Sequence, residues 1–241
     1  MEGPQVQLFV TCLVDALAPE VGKATVAALE SSGSIVGFPV DQGCCGQPAY
    51  NVGLVEEARR MAAHTVDVLD DTEGPVVVPS GSCAAMISRH YPELFAGTER
   101  EEKTERVASR VRELSQYLVD DIASPIRASC DGCTIAYHHS CHGLRELGLE
   151  HQADTLLEGA DRVELEGDRE CCGFGGLFSV EMPAVSTAIM GEKLDQIEAS
   201  GADTVVGGDI SCLLHIEGGL RRRGSAIRVM HLAELLGGEP G

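Results

Sequence analysis

The apolar residues of the chain alternate between two spacings. Short β-branched runs come first: QVQLFV (5–10), SIVGFPV (34–40), PVVVPS (75–80), TIAYHH (134–139), DRVELE (161–166), DTVVGG (203–208) and AIRVMH (226–231). Gly, Pro, Ser and Asp punctuate them, and each reads as a strand. Between them the apolar positions recur at helical spacing. Residues 19–31 and 54–69 predict helices, and 183–199 predicts another that opens on Pro183, a favoured first-turn residue. Residues 99–119, EREEKTERVASRVRELSQYLV, read as one long charged helix. Strand alternating with helix predicts an α/β fold built on parallel sheets.

The pattern occurs twice. Cys12, Cys44-Cys45 and Cys83 are followed by Cys141, Cys171-Cys172 and Cys212, at offsets of 129, 127 and 129 residues. The flanks agree as well. GPVVVPSGSCAAMI (74–87) matches ADTVVGGDISCLLHI (202–216): a β-branched run, a small-residue turn, Ser-Cys, then an apolar helix start. The expectation is two homologous halves, 1–124 and 125–241, each a small parallel sheet flanked by helices.

Adjacent cysteines need a reason. DQGCCGQPAY (41–50) and RECCGFGGLF (169–178) each place Gly after a Cys pair. As small core residues the pairs would be ordinary, but that poorly explains the same arrangement twice. A vicinal disulfide would span Cα atoms about 3.8 Å apart, below the usual range. As ligands, the two sulfurs can converge in a turn whose backbone angles Gly supplies. Cys12, Cys83, Cys141 and Cys212 all stand where a strand gives way to a loop or helix. In parallel sheets, sites collect beyond the strand C-termini, and helix N-termini there favour thiolates. Each half is thus expected to gather four thiolates, Cys12, Cys44, Cys45 and Cys83 or Cys141, Cys171, Cys172 and Cys212, at an edge of its own sheet. Four thiolates suit zinc or an iron–sulfur cluster. Adjacent ligands sit more naturally on different irons of a cluster than on one tetrahedral ion; zinc in one half is the alternative.

Charge narrows the partners. A formal net charge of −20 over 241 residues disfavours nucleic acid and anionic membranes. Arg221-Arg222-Arg223 is the local exception and reads as a helix C-terminus. The start of the chain lacks a basic region before its short apolar run, and no stretch has membrane-spanning length, so a cytoplasmic protein without membrane insertion is expected. Ten cysteines in a reducing compartment point to metal or redox chemistry rather than a disulfide framework.

The duplicated Cys…Cys-Cys-Gly…Cys pattern resembles the cysteine-rich CCG-domain proteins, which include the heterodisulfide reductase B subunit and the glycolate oxidase iron–sulfur subunit. YHHSCHGLRELG (137–148), CCGFGGLFSVEMPAVSTAIMGEK (171–193) and GADTVVGGDISCLLHIEGGL (201–220) look more narrowly like the lactate utilization protein A family. The resemblance covers nearly the whole chain. It implies iron–sulfur clusters of the 4Fe–4S kind, and action with companion subunits in cytoplasmic oxidation of L-lactate to pyruvate. The fullest form of the pattern ends in Cys-x-x-Cys, giving five cysteines per motif. Here the last position is Met86 in one half and His215 in the other. Met86 reads as core; His215 is either a substitute metal ligand or a structural side chain. His139 stands where the family usually has Asp.

Cys130 and Cys133, in SCDGCT, have no counterpart in the first half and read as an incidental turn pair outside the metal sets. His138, His139 and His142 surround Cys141; hydrogen bonding to sulfur and plain packing are both open to them. No flavin or nicotinamide fingerprint is visible, nor an arginine constellation for a hydroxy-acid carboxylate. The leading expectation is an electron-transfer subunit, non-catalytic or co-catalytic. A thiol–disulfide (heterodisulfide-type) reductase subunit and a zinc-stabilised binding module are the alternatives.

Overall fold

A computed structural model describes residues 3–130 and 132–237. The first half forms β1 (Gln5–Leu8), β2 (Ile35–Gly37), β3 (Val76–Val78) and β4 (Val111–Glu113), all parallel, in the order β2-β1-β3-β4. The second forms β5 (Ile135–His138), β6 (Thr204–Gly207) and β7 (Arg228–His231), also parallel, in the order β5-β6-β7. The central strands β3 and β6 are buried throughout, as expected where helices cover both faces of a parallel sheet. Strand register confirms the repeat. Gln7 pairs with Val76 and Leu8 with Val77; Ala136 pairs with Val205 and Tyr137 with Val206.

Two expectations need correction. DRVELE contributes a single bridge, Arg162 to Ile135, on the side of β5 that corresponds to the place of β2 beside β1. Turns at Leu165–Asp168 and Gly167–Glu170 then take the backbone away from the sheet. The long helix of 99–119 is broken. A helix runs over Glu101–Arg110, β4 follows, and helical turns resume at Leu114–Gln116 and Tyr117–Asp121. At the stop the backbone turns extended at Val111, and the guanidinium of Arg110 donates to the carbonyls of Leu69, Thr72 and Gly74 at 2.6–3.1 Å. Val111 and Glu113 then turn inward and give β3 its outer partner.

The helices expected at 19–31, 54–69 and 183–199 form as Pro19–Ser31, Val55–Asp70 and Pro183–Ala199. In the second of these, Ala58, Ala62, Val66 and Leu69 make the buried stripe that a sheet-covering helix requires. The helix Ile210–Arg223 ends in the Arg run and is capped by Gly224 at φ 71°. Arg223 pairs there with Asp195 and Glu198.

The halves exchange their last helices. Leu232–Leu236 of the second half packs on Pro19–Ser31 of the first, and Leu114–Asp121 of the first packs on Gln152–Leu156 of the second. One core therefore spans both sheets, with Val6, Leu29, Leu118, Ile135, Leu156, Val206 and Leu235 among its buried members. Truncating such a leucine to alanine costs about 2–5 kcal/mol. Cys130 and Cys133 lie against this core, joined as a disulfide across a turn rather than standing as two free thiols. Among the described residues, no helix is long and apolar enough to cross a membrane.

Candidate metal centre

Four cysteines occupy the first turns of helices. Cys12 opens Cys12–Leu17 and Cys141 opens Cys141–Glu146. Cys83 and Cys212 lie in the first turns of Gly81–Ala85 and Ile210–Arg223. Polar caps start all four helices. Thr11 Oγ1 accepts from Val14 N–H at 3.4 Å, Ser80 Oγ from Cys83 N–H at 3.4 Å, Ser140 Oγ from Gly143 N–H at 3.2 Å, and Asp209 Oδ1 from Ser211 N–H at 3.1 Å.

The paired cysteines lie on turns made by the glycine that follows. Gly46 and Gly173 have φ of 85° and 88°, which L side chains avoid. A Cβ on Gly173 would also lie 2.6 Å from the Ser186 carbonyl oxygen. The turn aims each glycine N–H at the first sulfur of its pair. Gly46 donates to Cys44 Sγ at 3.4 Å, and Gly173 to Cys171 Sγ at 3.3 Å.

The thiols of each half touch in the same order. Cys12 meets Cys44, Cys44 meets Cys45, and Cys45 Sγ lies 3.3 Å from Cys83 Sγ. Cys141, Cys171, Cys172 and Cys212 repeat the chain of contacts. One sulfur in each set holds the charge. S–H groups of Cys12 and Cys45 bring Cys44 down to about 2, and those of Cys141 and Cys172 bring Cys171 down to about 2. The donors Cys12, Cys45, Cys141 and Cys172 are pushed up in return, and burial raises them further. Four crowded sulfurs cannot all ionise without a cation to offset their repulsion. Bound iron or zinc would supply that charge and keep the thiols deprotonated, so the donor chemistry of both sets fits a metal centre.

Both sets line one cavity of about 330 Å³, together with Gln47, Ser82, His142, Phe174 and Asp209. The sequence placed each set on its own sheet edge; the docking of the halves brings the two edges face to face. His142 connects them. Its Nδ1 lies 3.6 Å from Cys141 Sγ, and its Nε2 lies 3.0 Å from Nε2 of Gln47, beside the other Cys pair.

The two sets are not identical. His138 ends β5, and at the 129-residue offset its place in the first half is taken by Phe9. His138 is buried, neither ring nitrogen has a hydrogen-bond partner, and a ring nitrogen lies with Cys172 Sγ and Cys212 Sγ in a group whose atoms are all within 4.8 Å of one another. Burial lowers its pKa to about 3, so the imidazole is neutral. His139 lies 3.7 Å from Asp168 and stacks edge-on against Tyr137. His215 lies outside the group of His138, with Nε2 3.5 Å from Ser186 Oγ and its ring against Phe174. Met86 is fully buried in the core around Phe9, Val78 and Ile87.

A family model described as a cysteine-rich CCG domain matches residues 6–88 and again 135–217. Curated proteins named lactate utilization protein A align over almost the whole chain. That of Exiguobacterium is 44% identical over 238 residues, covering 97% of each chain. That of Geobacillus kaustophilus is 46% identical over 237 residues, covering 96% of this chain and 98% of its own. The chain belongs to the lactate utilization protein A family. A crystal structure of a hypothetical protein from Helicobacter pylori shares the fold, with TM-score 0.65 and 12% identity over 100% of this chain, which spans 52% of that one. In this lactate utilization protein A relative, sequence reasoning missed Asp209 and Ser80 as site-building residues. The signal was present: each stands three positions before a site cysteine, as a polar cap to a helix.

Proposed function

We propose that the chain is the iron–sulfur electron-transfer subunit of a cytoplasmic multi-subunit oxidoreductase that converts L-lactate to pyruvate. The observation that carries the reading is the pair of four-cysteine sets on one cavity; the names of its relatives supply the substrate. Cys12, Cys44, Cys45 and Cys83 would hold one cluster and Cys141, Cys171, Cys172 and Cys212 the other, each of the 4Fe–4S kind. Clusters bound there take up and release electrons one at a time.

The rest is the work of the chain. Gly46 and Gly173 N–H groups stabilise charge on Cys44 and Cys171. Helix N-termini at the other four cysteines do the same through unpaired N–H groups. Among the described residues, no Arg or Lys lines the cavity, so it has no guanidinium or ammonium for a lactate carboxylate. The substrate site is assigned to a companion subunit or to a shared interface. Leu177 and Val180 line the cavity while remaining exposed, and give its mouth an apolar contact for such a partner.

The shared cavity also favours one other reading, a thiol–disulfide reductase subunit that works between the two sets. Both are tested by supplying the reconstituted chain with L-lactate and an acceptor dye, alone and with its companion subunits. The expected result is turnover only in the complex. Sustained lactate oxidation by the single chain would overturn the subunit reading, and reduction of a small disulfide without lactate activity in the complex would favour the second.

A further inference from the structure

The second cysteine set has a donor that the first lacks. Leaving two imidazole nitrogens unpartnered in a protein interior costs free energy comparable to the lost hydrogen bonds, and such a group calls for a ligand. His138 is in that state, 1% exposed, with both Nδ1 and Nε2 unpartnered. Its surroundings name the ligand. A ring nitrogen and the sulfurs of Cys172 and Cys212 all lie within 4.8 Å of one another. Nitrogen and sulfur donors about 2.0 and 2.3 Å from a metal ion sit roughly 3.5–4 Å apart, so a small side-chain shift brings the imidazole nitrogen to the metal centre that Cys172 and Cys212 would hold. In the first half the corresponding residue is Phe9, packed in the core with Cys45; a simple packing role is thus met there by an apolar ring.

We propose that His138 is a fifth donor of the second set, binding iron through an imidazole nitrogen beside Cys172 and Cys212. The proposal rests on the iron reading of the cysteine sets. It makes the two centres inequivalent: the first is held by sulfur alone, the second by sulfur and a neutral nitrogen. The ligand type around iron–sulfur centres sets their reduction potentials, so the two centres differ in potential.

The test uses the full chain, labelled with ¹⁵N-histidine and reconstituted anaerobically with iron and sulfide. Cys44 and Cys45 are changed to Ser so that only the second set is filled. Pulsed EPR of the reduced protein should show a strongly coupled ¹⁵N nucleus, as expected of a directly bound imidazole. His138→Phe, which copies the residue of the first half, should abolish that coupling and move the midpoint potential. His138→Cys, which offers a thiolate instead, should keep the iron, lose the coupling and move the potential to a more negative value, so a folding failure of the Phe variant does not decide the matter. Iron present with only weak nitrogen coupling, or with strong coupling that survives in His138→Cys and disappears in His215→Phe, would overturn the proposal alone. Absence of iron from the second set would overturn it together with the iron reading.

Discussion

Ser80 and Asp209 stand 129 residues apart, at equivalent positions of the two halves, and they meet: Ser80 Oγ donates to Asp209 Oδ2 over 3.0 Å. The same carboxylate accepts from Ser82 N–H at 2.8 Å and, through Oδ1, from Ser211 N–H at 3.1 Å. One buried side chain thus caps the helix that carries Cys83 and the helix that carries Cys212. Burial works to raise its pKa, but hydrogen bonds from Ser211, Ser82 and Ser80 hold it below the ordinary carboxylate value. The contact fixes the spacing between the two cysteine sets.

Asp209→Ala should therefore be costly. It strands buried donors of both halves and removes a helix cap, a loss of about 2–4 kcal/mol. In a chain of this size that lowers the melting temperature by roughly 5–15 °C. Thermal unfolding followed by circular dichroism checks it, and a shift within error of wild type would show that the carboxylate does not join the halves.

Gly81 makes the closest backbone approach beside that contact. A Cβ there would lie 2.6 Å from Ser140 Oγ and 3.0 Å from Gly143 N, both on the other half. Gly81→Ala should destabilise by about 1–3 kcal/mol through overpacking. Gly218 in the helix Ile210–Arg223 has open space around it, so Gly218→Ala should stabilise by about 1 kcal/mol through helix propensity. Denaturant midpoints of the two variants should move in opposite directions.

The chain's apolar rhythm and its cysteines made much of this legible, because both are local. Runs such as PVVVPS and DTVVGG mark the buried central strands, and Cys-Cys-Gly marks a turn that needs a left-handed backbone. β4 was hidden because VRE is three residues long, carries Arg at its centre and follows a strong run of helix formers. The repeat would have exposed it: VRELSQYL (111–118) aligns with VMHLAELL (229–236), whose strand was recognised. The common cavity had no local signal, since it depends on Leu232–Leu236 crossing to Pro19–Ser31. His138 and His139 are neighbours of one type, and only the packing shows which of them faces the sulfurs.

Glu113 gives the fold a pH dependence. Burial raises its pKa to about 7 from an ordinary 4.5, although Ser115 and Gln116 donate to it. In the folded chain the proton is kept up to a higher pH than in the unfolded chain. Its contribution is complete below about pH 4.5 and is lost as pH rises through 7, a swing of about 3 kcal/mol. Glu113→Gln keeps an acceptor for the cap and cannot ionise. Its stability should fall less than that of wild type between pH 5.5 and 8, which denaturant titrations across that range would register. Parallel profiles would mean that Glu113 titrates normally.

The central claim is that two iron–sulfur centres are held by eight cysteines on one cavity. Iron and acid-labile sulfide, measured on anaerobically reconstituted full-length chain, test it most directly. Wild type should contain both. Cys44→Ser with Cys45→Ser, and Cys171→Ser with Cys172→Ser, should each lose about half of the iron, since each pair supplies two of the four sulfurs in its set. Stoichiometric zinc without iron, or iron content unchanged in both double variants, would contradict the account.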